Sequence, residues 1–256
     1  MKDLSLEQKF VIGSKNATTM DITDVSKAMV IRGVTSKTEV DTCVAVSRDF
    51  YYIDTGYLGN FPSPGNLSGK KLWHRVVKNE NQLITHLGRP DDRWKNLVKQ
   101  DPKLAWQGWK SYDKKILLVL PNPKACRYYD VDFDTWIRET EDQIKTYSNL
   151  PIETRIKGSR SDRNHKDFIY DVFDQGVYAT VSLNSIASLE SVLYGIPSFV
   201  SVPCAASSLC SNDLSLLKNP YRPTEQEIMQ KCYDLAYGQF TTEELLNGTA
   251  YDLVKD

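Results

Sequence analysis

The chain has 256 residues, 41% of them hydrophobic and 25% charged, with a formal net charge of −1. That balance excludes disordered, fibrous and collagen-like classes, and the length suits one large or two small domains, each able to bury a core. No apolar stretch approaches about 18 residues and the opening MKDLSLEQKF has no apolar signal core, so a cytoplasmic protein without a membrane span is expected.

The five cysteines, Cys43, Cys126, Cys204, Cys210 and Cys232, are spread without a CxxC pair. This spacing argues against both a disulfide framework and a zinc site. Charge is uneven: residues 1–110 hold 17 Lys and Arg against 12 Asp and Glu, and residues 111–256 hold 15 against 21. A basic first half suits an anionic acceptor such as DNA, and equally a solvated surface.

Residues 1–27 are expected to form a short strand at Phe10–Ile12 and then a polar loop. From Ala28 the pattern is β-α-β: AMVIRG as a strand, a helix over Lys37–Ser47 capped by Ser36 with Val40 and Val44 on one face, and FYYID as a second strand. Asp54 falls at that strand's C-terminal end, the edge where open α/β sheets bind ligands. A carboxylate there, among Tyr51, Tyr52 and Tyr57, suits a base that takes the proton of an acceptor hydroxyl; alternatively it caps the D-T-G turn and binds its own backbone.

FPSPGNLSGK is a loop by composition. KKLWHRVVKN alternates as a strand and carries the densest basic patch of the first half, in which Lys70, Lys71 and Arg75 are candidate acceptor contacts. His74 is a second candidate base, although a lone His on a strand is usually structural. Trp73, Trp94, Trp106 and Trp109 offer rings on which bases or sugar faces stack, or else fill cores.

Residues 100–113 are read as the connection between a domain at 1–112 and another at 113–256. The second opens with an unbroken apolar run, Ile116–Leu120, which Pro121 and Pro123 end, placing Asn122 and Lys124 at the sheet's ligand edge. A helix is expected over Asp132–Tyr147, with Asp132 and Asp134 in the first turn where the dipole favours acids, so the D-x-D there is weak as a metal site. After a strand at Ile152–Ile156, basic residues crowd the segment IETRIKGSRSDRNHKD. Lys157, Arg160 and Arg163 on its Gly-Ser loop suit a diphosphate and a departing anion, with a solvated face as the alternative.

The chain is organised around Gly176 to Pro203, GVYATVSLNSIASLESVLYGIPSFVSVP. Val177–Val181 reads as a buried strand, Ser182, Asn184 and Ser185 as a hydroxyl-rich turn, and the next residues as a helix with Ile186, Leu189, Val192 and Leu193 on one face. Ser188 and Glu190 lie off that face near the first turn; Gly195 ends the helix and Ser198–Val202 follows as a strand. A helix start favours an anion by about 0.3–1 kcal/mol in exposed settings. Glu190 stands where a carboxylate could accept from both hydroxyls of a ribose; alternatively Ser182 or Ser185 is a plain N-cap and Glu190 a solvated residue. Cys204 and Cys210 lack the flanking His or spacing of a nucleophile or metal pair and read as inert. Two helices close the chain, Thr224–Tyr237 and Thr241–Leu246, the latter capped as T-T-E-E.

The run S-x-A-S-L-E-S-V-L-Y-G-I-P resembles the nucleotide-sugar segment of glycosyltransferases with two facing Rossmann-like domains, the GT-B type. It is also similar to capsule-polysaccharide transferases and to short phage-encoded glycosyltransferases. Asp54, Gly56 and Tyr57 resemble the E-D-G-F segment of the capsule enzymes, with Thr55 inserted, and the 157–163 segment resembles their R-P-K/H-P run with Gly158-Ser159 in place of proline. The ending LAYGQFTTEELLNGTAYDLV is similar to the C-terminal helices of the phage relatives.

The resemblance implies a compact α/β fold of two facing Rossmann-like domains, acceptor-side at 1–112 and nucleotide-sugar-binding with closing helices at 113–256. It puts Glu190 on the donor ribose and Ser185 and Ser188 near its phosphates, beside Ser182 and Asn184, with Asp54 as base. The activity implied moves a sugar from a nucleotide-sugar to a hydroxyl, without a metal or other cofactor. The phage likeness points to a hydroxymethylated base in viral DNA as acceptor, in the host cytoplasm. A surface or capsular glycan acceptor and a non-catalytic nucleotide or glycan binder are the alternatives. Neither GxxxxGK[ST] nor GxGxxG occurs, which argues against a kinase or a dehydrogenase.

Overall fold

The computed structural model describes residues 4–60, 72–156 and 168–256. Its class is α/β, with one five-stranded and one four-stranded sheet. The described residues form two units, one of 4–60, 72–83 and 235–256, the other of 84–156 and 168–234. The division therefore differs from the one expected after residue 112. Residues 107–110 are tied into the second unit by Gln107 N–H to the Leu193 carbonyl (3.0 Å) and Lys110 N–H to that of Gly195 (2.8 Å).

The first unit begins with α1 (Leu6–Gly13), β1 (Thr18–Thr19), β2 (Ala28–Arg32), α2 (Lys37–Ala45), β3 (Phe50–Thr55) and β4 (His74–Lys78). The second runs through α3 (Asp92–Gln100), β5 (Lys115–Val119), α4 (Pro123–Tyr128), α5 (Phe133–Tyr147), β6 (Ile152–Arg155), α6 (Ile169–Phe173), β7 (Val177–Ser182), α7 (Ala187–Tyr194) and β8 (Ser198–Val200). In the last turn of α8 (Glu225–Tyr237) the chain passes back to the first unit, which ends with β9 (Gln239–Phe240), α9 (Thr242–Asn247) and α10 (Thr249–Val254).

The strand expected at Phe10–Ile12 is instead helix α1. Ser5 Oγ accepts from Gln8 N–H (3.2 Å) while Gln8 Oε1 accepts from Ser5 N–H (2.9 Å), a reciprocal capping box. Leu6, Phe10 and Gly13 then bury at helical spacing, and that period overrides the β-branched character of the short apolar run. A Cβ on Gly13 would lie 2.1 Å from the Leu245 carbonyl, so the close approach of α1 and α9 requires glycine here.

In α2 the buried face is Val40 and Cys43 rather than Val40 and Val44, which is 63% exposed. Ser36 does not cap; its hydroxyl donates to the Arg32 carbonyl (3.0 Å). β1, β2 and β3 are parallel, whereas β4 returns antiparallel to β3 and β9 antiparallel to β4. Phe10, Tyr51 and Tyr251 stack between α1, the sheet and α10, with centroids 5.1 to 6.1 Å apart. Thr241 and Glu244 form the expected capping box of α9.

The second sheet is wholly parallel in the order β6-β5-β7-β8. Alternate residues of its strands face opposite ways. Ile116, Leu118, Ala179, Val181 and Phe199 pack with Trp136 and Ile144 of α5, and Leu117, Val119 and Val177 pack with Tyr170, Phe173, Ala187 and Tyr194 of α6 and α7. The chain thus leaves β5 outward over one face and comes back past it over the other. Its direction reverses between β5 and β7, and the crevice at their C-terminal ends is where doubly wound sheets take ligands.

Trp94 is buried in α3, and half-buried Trp109 donates its indole N–H to the Pro223 carbonyl (3.2 Å). Among the described residues, no helix is long and apolar enough to cross a membrane.

Candidate functional site

At the crevice, Ser182 ends β7 and α7 starts five residues later. The hydroxyls of Ser182 and Ser188 are 2.8 Å apart with both residues fully buried; Ser182 Oγ also accepts from Ser185 N–H (3.1 Å). Ser185 Oγ in turn accepts from Ala187 N–H (3.2 Å). The serine bend is therefore closed on itself: Ser182 and Ser188 hold its shape from within, leaving half-buried Asn184, Ser185 and Glu190 nearer the surface.

Beneath the helix a second polar set is satisfied, with Thr180 Oγ1 2.9 Å from Ser191 Oγ and 2.7 Å from Ser198 Oγ, and Ser191 donating to the Ile196 carbonyl (3.1 Å). α7 is consequently buried on nearly every side rather than along the one expected stripe. Gly195 closes it at φ +91, and a Cβ there would lie 1.8 Å from the Gly108 carbonyl.

Glu190 sits in the first turn of α7. The buried Tyr170 hydroxyl titrates well above its usual range, first because burial disfavours the phenolate and then because the Glu190 and Asp101 carboxylates repel it. Lys103 Nζ stands 5.7 and 5.2 Å from the ring centroids of Phe168 and Tyr170. A carboxylate, a neutral phenol, a ring and a cation thus gather beside α7. Sequence reasoning missed Asp101, Lys103, Phe168 and Tyr170. The only local signal was Asp101 before Pro102, the N-cap and first residue of a 3₁₀ turn that packs on α7.

Lys157, Arg160 and Arg163 lie outside the described residues, as do Lys70 and Lys71. Asn122, expected at the ligand edge, caps α4 by accepting from Lys124 N–H (2.8 Å). Among the described residues no group of three or more His, Cys, Asp or Glu could hold a metal ion. Burial pushes the Cys204 and Cys210 thiols above their usual range, disfavouring the nucleophilic thiolate.

In the first unit Asp54 occupies the C-terminal end of β3, directly across from Arg75 on β4. Its Oδ1 accepts from Thr55 N–H (2.6 Å) and its Oδ2 faces Arg75 Nη2 (3.3 Å). The Arg75 guanidinium lies 5.6 and 5.7 Å from the rings of Tyr52 and Tyr57, so it is placed by aromatic faces and by Asp54 together. His74 is buried, across from Thr55 and Phe240. Two buried amides frame the loop after Asp54: Gln239 Oε1 accepts from Tyr57 and Leu58 N–H (2.8 and 3.1 Å), and Asn60 Oδ1 accepts from Leu72 and Trp73 N–H (2.8 and 2.7 Å).

A further carboxylate escaped the sequence reading. Asp234 is fully buried in α8 and accepts from Leu87 N–H (2.9 Å), Arg89 N–H (2.8 Å) and Gln230 Nε2 (3.2 Å), with His86 Nδ1 at 2.9 Å.

No family model and no curated protein matches the sequence. Among solved structures the chain is similar to KpsC of Thermosulfurimonas dismutans, a β-Kdo 2,4 transferase. The TM-score is 0.50 at 11% sequence identity, over 84% of this chain and 81% of that one. The likeness is one of fold.

Proposed function

We propose that the chain is a glycosyltransferase whose second unit binds a nucleotide-sugar and whose first unit takes a hydroxyl acceptor. The observation that carries this reading is the serine bend and Glu190 at the reversal point of a doubly wound sheet, within a fold similar to that of a known sugar transferase. Glu190 accepts from the ribose hydroxyls, Asn184 and Ser185 approach the phosphates, and Lys157, Arg160 and Arg163 neutralise the diphosphate as it leaves. The C1–O bond to phosphate breaks as the acceptor oxygen bonds to C1, and Asp54 receives the acceptor's proton. This chemistry calls for no metal.

The finer acceptor reading is a hydroxymethylated base in DNA, supported by the resemblance to phage transferases. A second reading, a nucleotide or glycan binder without catalysis, is favoured by Asp54 itself, whose oxygens are engaged by Thr55 and Arg75.

The test is calorimetric titration with a nucleotide-sugar panel, followed by transfer assays on hydroxymethylated DNA, plain DNA and surface glycans. Donor binding weakened about tenfold or more by Glu190→Gln, with transfer abolished by Asp54→Asn at unchanged donor affinity, is the expected result. Donor binding without turnover on any acceptor leaves the binder. Unaltered affinity in Glu190→Gln refutes the donor site.

A further inference from the structure

β6 is an outer strand of the second sheet. The far edge of that sheet is occupied beyond β8, where Val200 N–H donates to the Ser211 carbonyl (2.9 Å) and Ser211 N–H to that of Ser198 (3.2 Å). On the β6 side, the carbonyls of Pro151 and Arg155 accept from the N–H groups of Ile116 and Leu120 (both 2.9 Å). Alternate residues of a parallel strand bond to the same neighbour, so the main-chain groups of 151, 153 and 155 turn towards β5 and those of Ile152, Thr154 and Ile156 turn outward. Thr154 is exposed, and the Ile156 side chain stands 68% exposed.

An outward row of N–H and C=O groups is a template for another strand, and charges on an edge commonly guard it. Here the charges select one occupant. An antiparallel copy of the same segment can dock only in registers that pair outward residues with outward residues. Centred on Glu153, that register sets Glu153 against its own copy, and centred on Arg155 it sets Arg155 against its own; like charges directly opposite are destabilising. Centred on Thr154, the run Ile-Glu-Thr-Arg-Ile is its own complement: Ile152 falls opposite Ile156, Glu153 opposite Arg155 and Thr154 opposite Thr154. In that register every outward main-chain group from Ile152 to Ile156 meets a partner.

We propose that β6 is a self-association edge, on which two copies of this chain pair antiparallel about a twofold axis at Thr154. Ile152 packs on the α5 face of the sheet, and by alternation Ile156 lies on that face too, so the partner's Ile152 covers the exposed Ile156. On the opposite face Glu153, which Lys115 Nζ holds at 2.6 Å, meets the partner's Arg155. The contact is short beside the roughly 1,200–2,000 Å² of stable complexes, which makes the dimer weak and reversible. The proposal does not depend on the transferase reading.

The experiment is sedimentation equilibrium of the full chain over about 1–200 μM, with a dimer half-formed at about 10–100 μM as the expected result. Arg155→Glu sets acid against acid and weakens it about tenfold or more, whereas Arg155→Lys keeps it within about threefold. Thr154→Pro removes an outward N–H, a change that an edge strand tolerates, and abolishes the dimer; urea midpoints confirm that each variant is folded. Thr154→Cys reports the register directly, because residues exchanging both bonds stand about 5.5 Å apart at Cα, within disulfide reach. Mild oxidation should give a covalent dimer with Thr154→Cys and none with Val44→Cys, at a position 63% exposed in the first unit. A monomer throughout the range, a dimer indifferent to Arg155→Glu and Thr154→Pro, or no greater cross-linking at Thr154 than at Val44 would each overturn the proposal.

Discussion

Gly195→Ala tests whether the end of α7 is locked as the structure describes. At φ +91 an alanine carries the left-handed penalty of about 1–2 kcal/mol. Its Cβ would also stand 1.8 Å from the Gly108 carbonyl, so the 107–110 segment must withdraw. Withdrawal breaks Gln107 N–H to Leu193 and Lys110 N–H to Gly195, at about 0.5–1.5 kcal/mol each. The total is about 2–5 kcal/mol, or a fall in Tm of about 5–20 °C. Gly108→Ala is the control: at φ +75 with nothing within 4 Å of its Cβ, it costs only the left-handed penalty, about 1–2 kcal/mol. Urea unfolding followed by tryptophan fluorescence reads both, with Trp106 beside the moving segment and Trp109 within it. If Gly195→Ala costs no more than Gly108→Ala, the contact between α7 and residues 107–110 is wrong.

Burial raises the Tyr57 hydroxyl to about 12 against an unfolded value of 10, with Arg75 and the Leu83 N–H opposing. Its contribution, about 2–3 kcal/mol, is therefore intact below pH 10 and lost as pH rises through about 12; Tyr57→Phe should flatten that part of the stability profile in pH-dependent urea melts. Asp234→Ala leaves the buried N–H groups of Leu87 and Arg89 without their acceptor and should cost about 2–5 kcal/mol in the same melts, whereas His86→Ala, at a side chain 70% exposed, should cost under about 1 kcal/mol. A double-mutant cycle on Ser182→Ala and Ser188→Ala should give a coupling of about 0.5–1.5 kcal/mol, because each hydroxyl is the other's buried partner. Zero coupling would mean that the two do not meet.

The second sheet was the more legible half because its strands announce themselves. Ile116–Leu120 is an unbroken apolar run and Val177–Val181 a short β-rich one, bounded by proline, serine and glycine, and both are parallel strands of the sheet. The Gly195-Ile196-Pro197 stop also sits at the end of α7 as read. The first unit was harder. Its opening helix carries a capping box, Ser5-x-x-Gln8, which outweighs the β-branched run that follows it. Val44 was placed on the buried face of α2 by i, i+4 spacing, when i, i+3 to Cys43 meets the sheet. Neither the antiparallel return of β4 nor the passage of residues 235–256 back to the first unit has a local signature, since both depend on pairings between residues far apart in sequence.

The same limit explains what was misjudged at the crevice. Hydroxyls in a strand-to-helix bend look alike in sequence whether they face a ligand or one another. Ser182, Ser188 and Ser191 are buried because small side chains let α7 approach β7 closely, and a hydroxyl in such a place must find a partner inside. Each does, so the bend emerges with its shape fixed before any ligand arrives. Preorganisation of that kind lowers the ordering cost of binding an anion at the helix start, and on the proposed donor reading recognition falls to Glu190 and Ser185, which stand nearer the surface. On this division of labour, the buried serines govern stability and the outer groups govern affinity. Ser188→Ala should therefore lower the unfolding midpoint while leaving nucleotide affinity within about twofold, the reverse of Glu190→Gln.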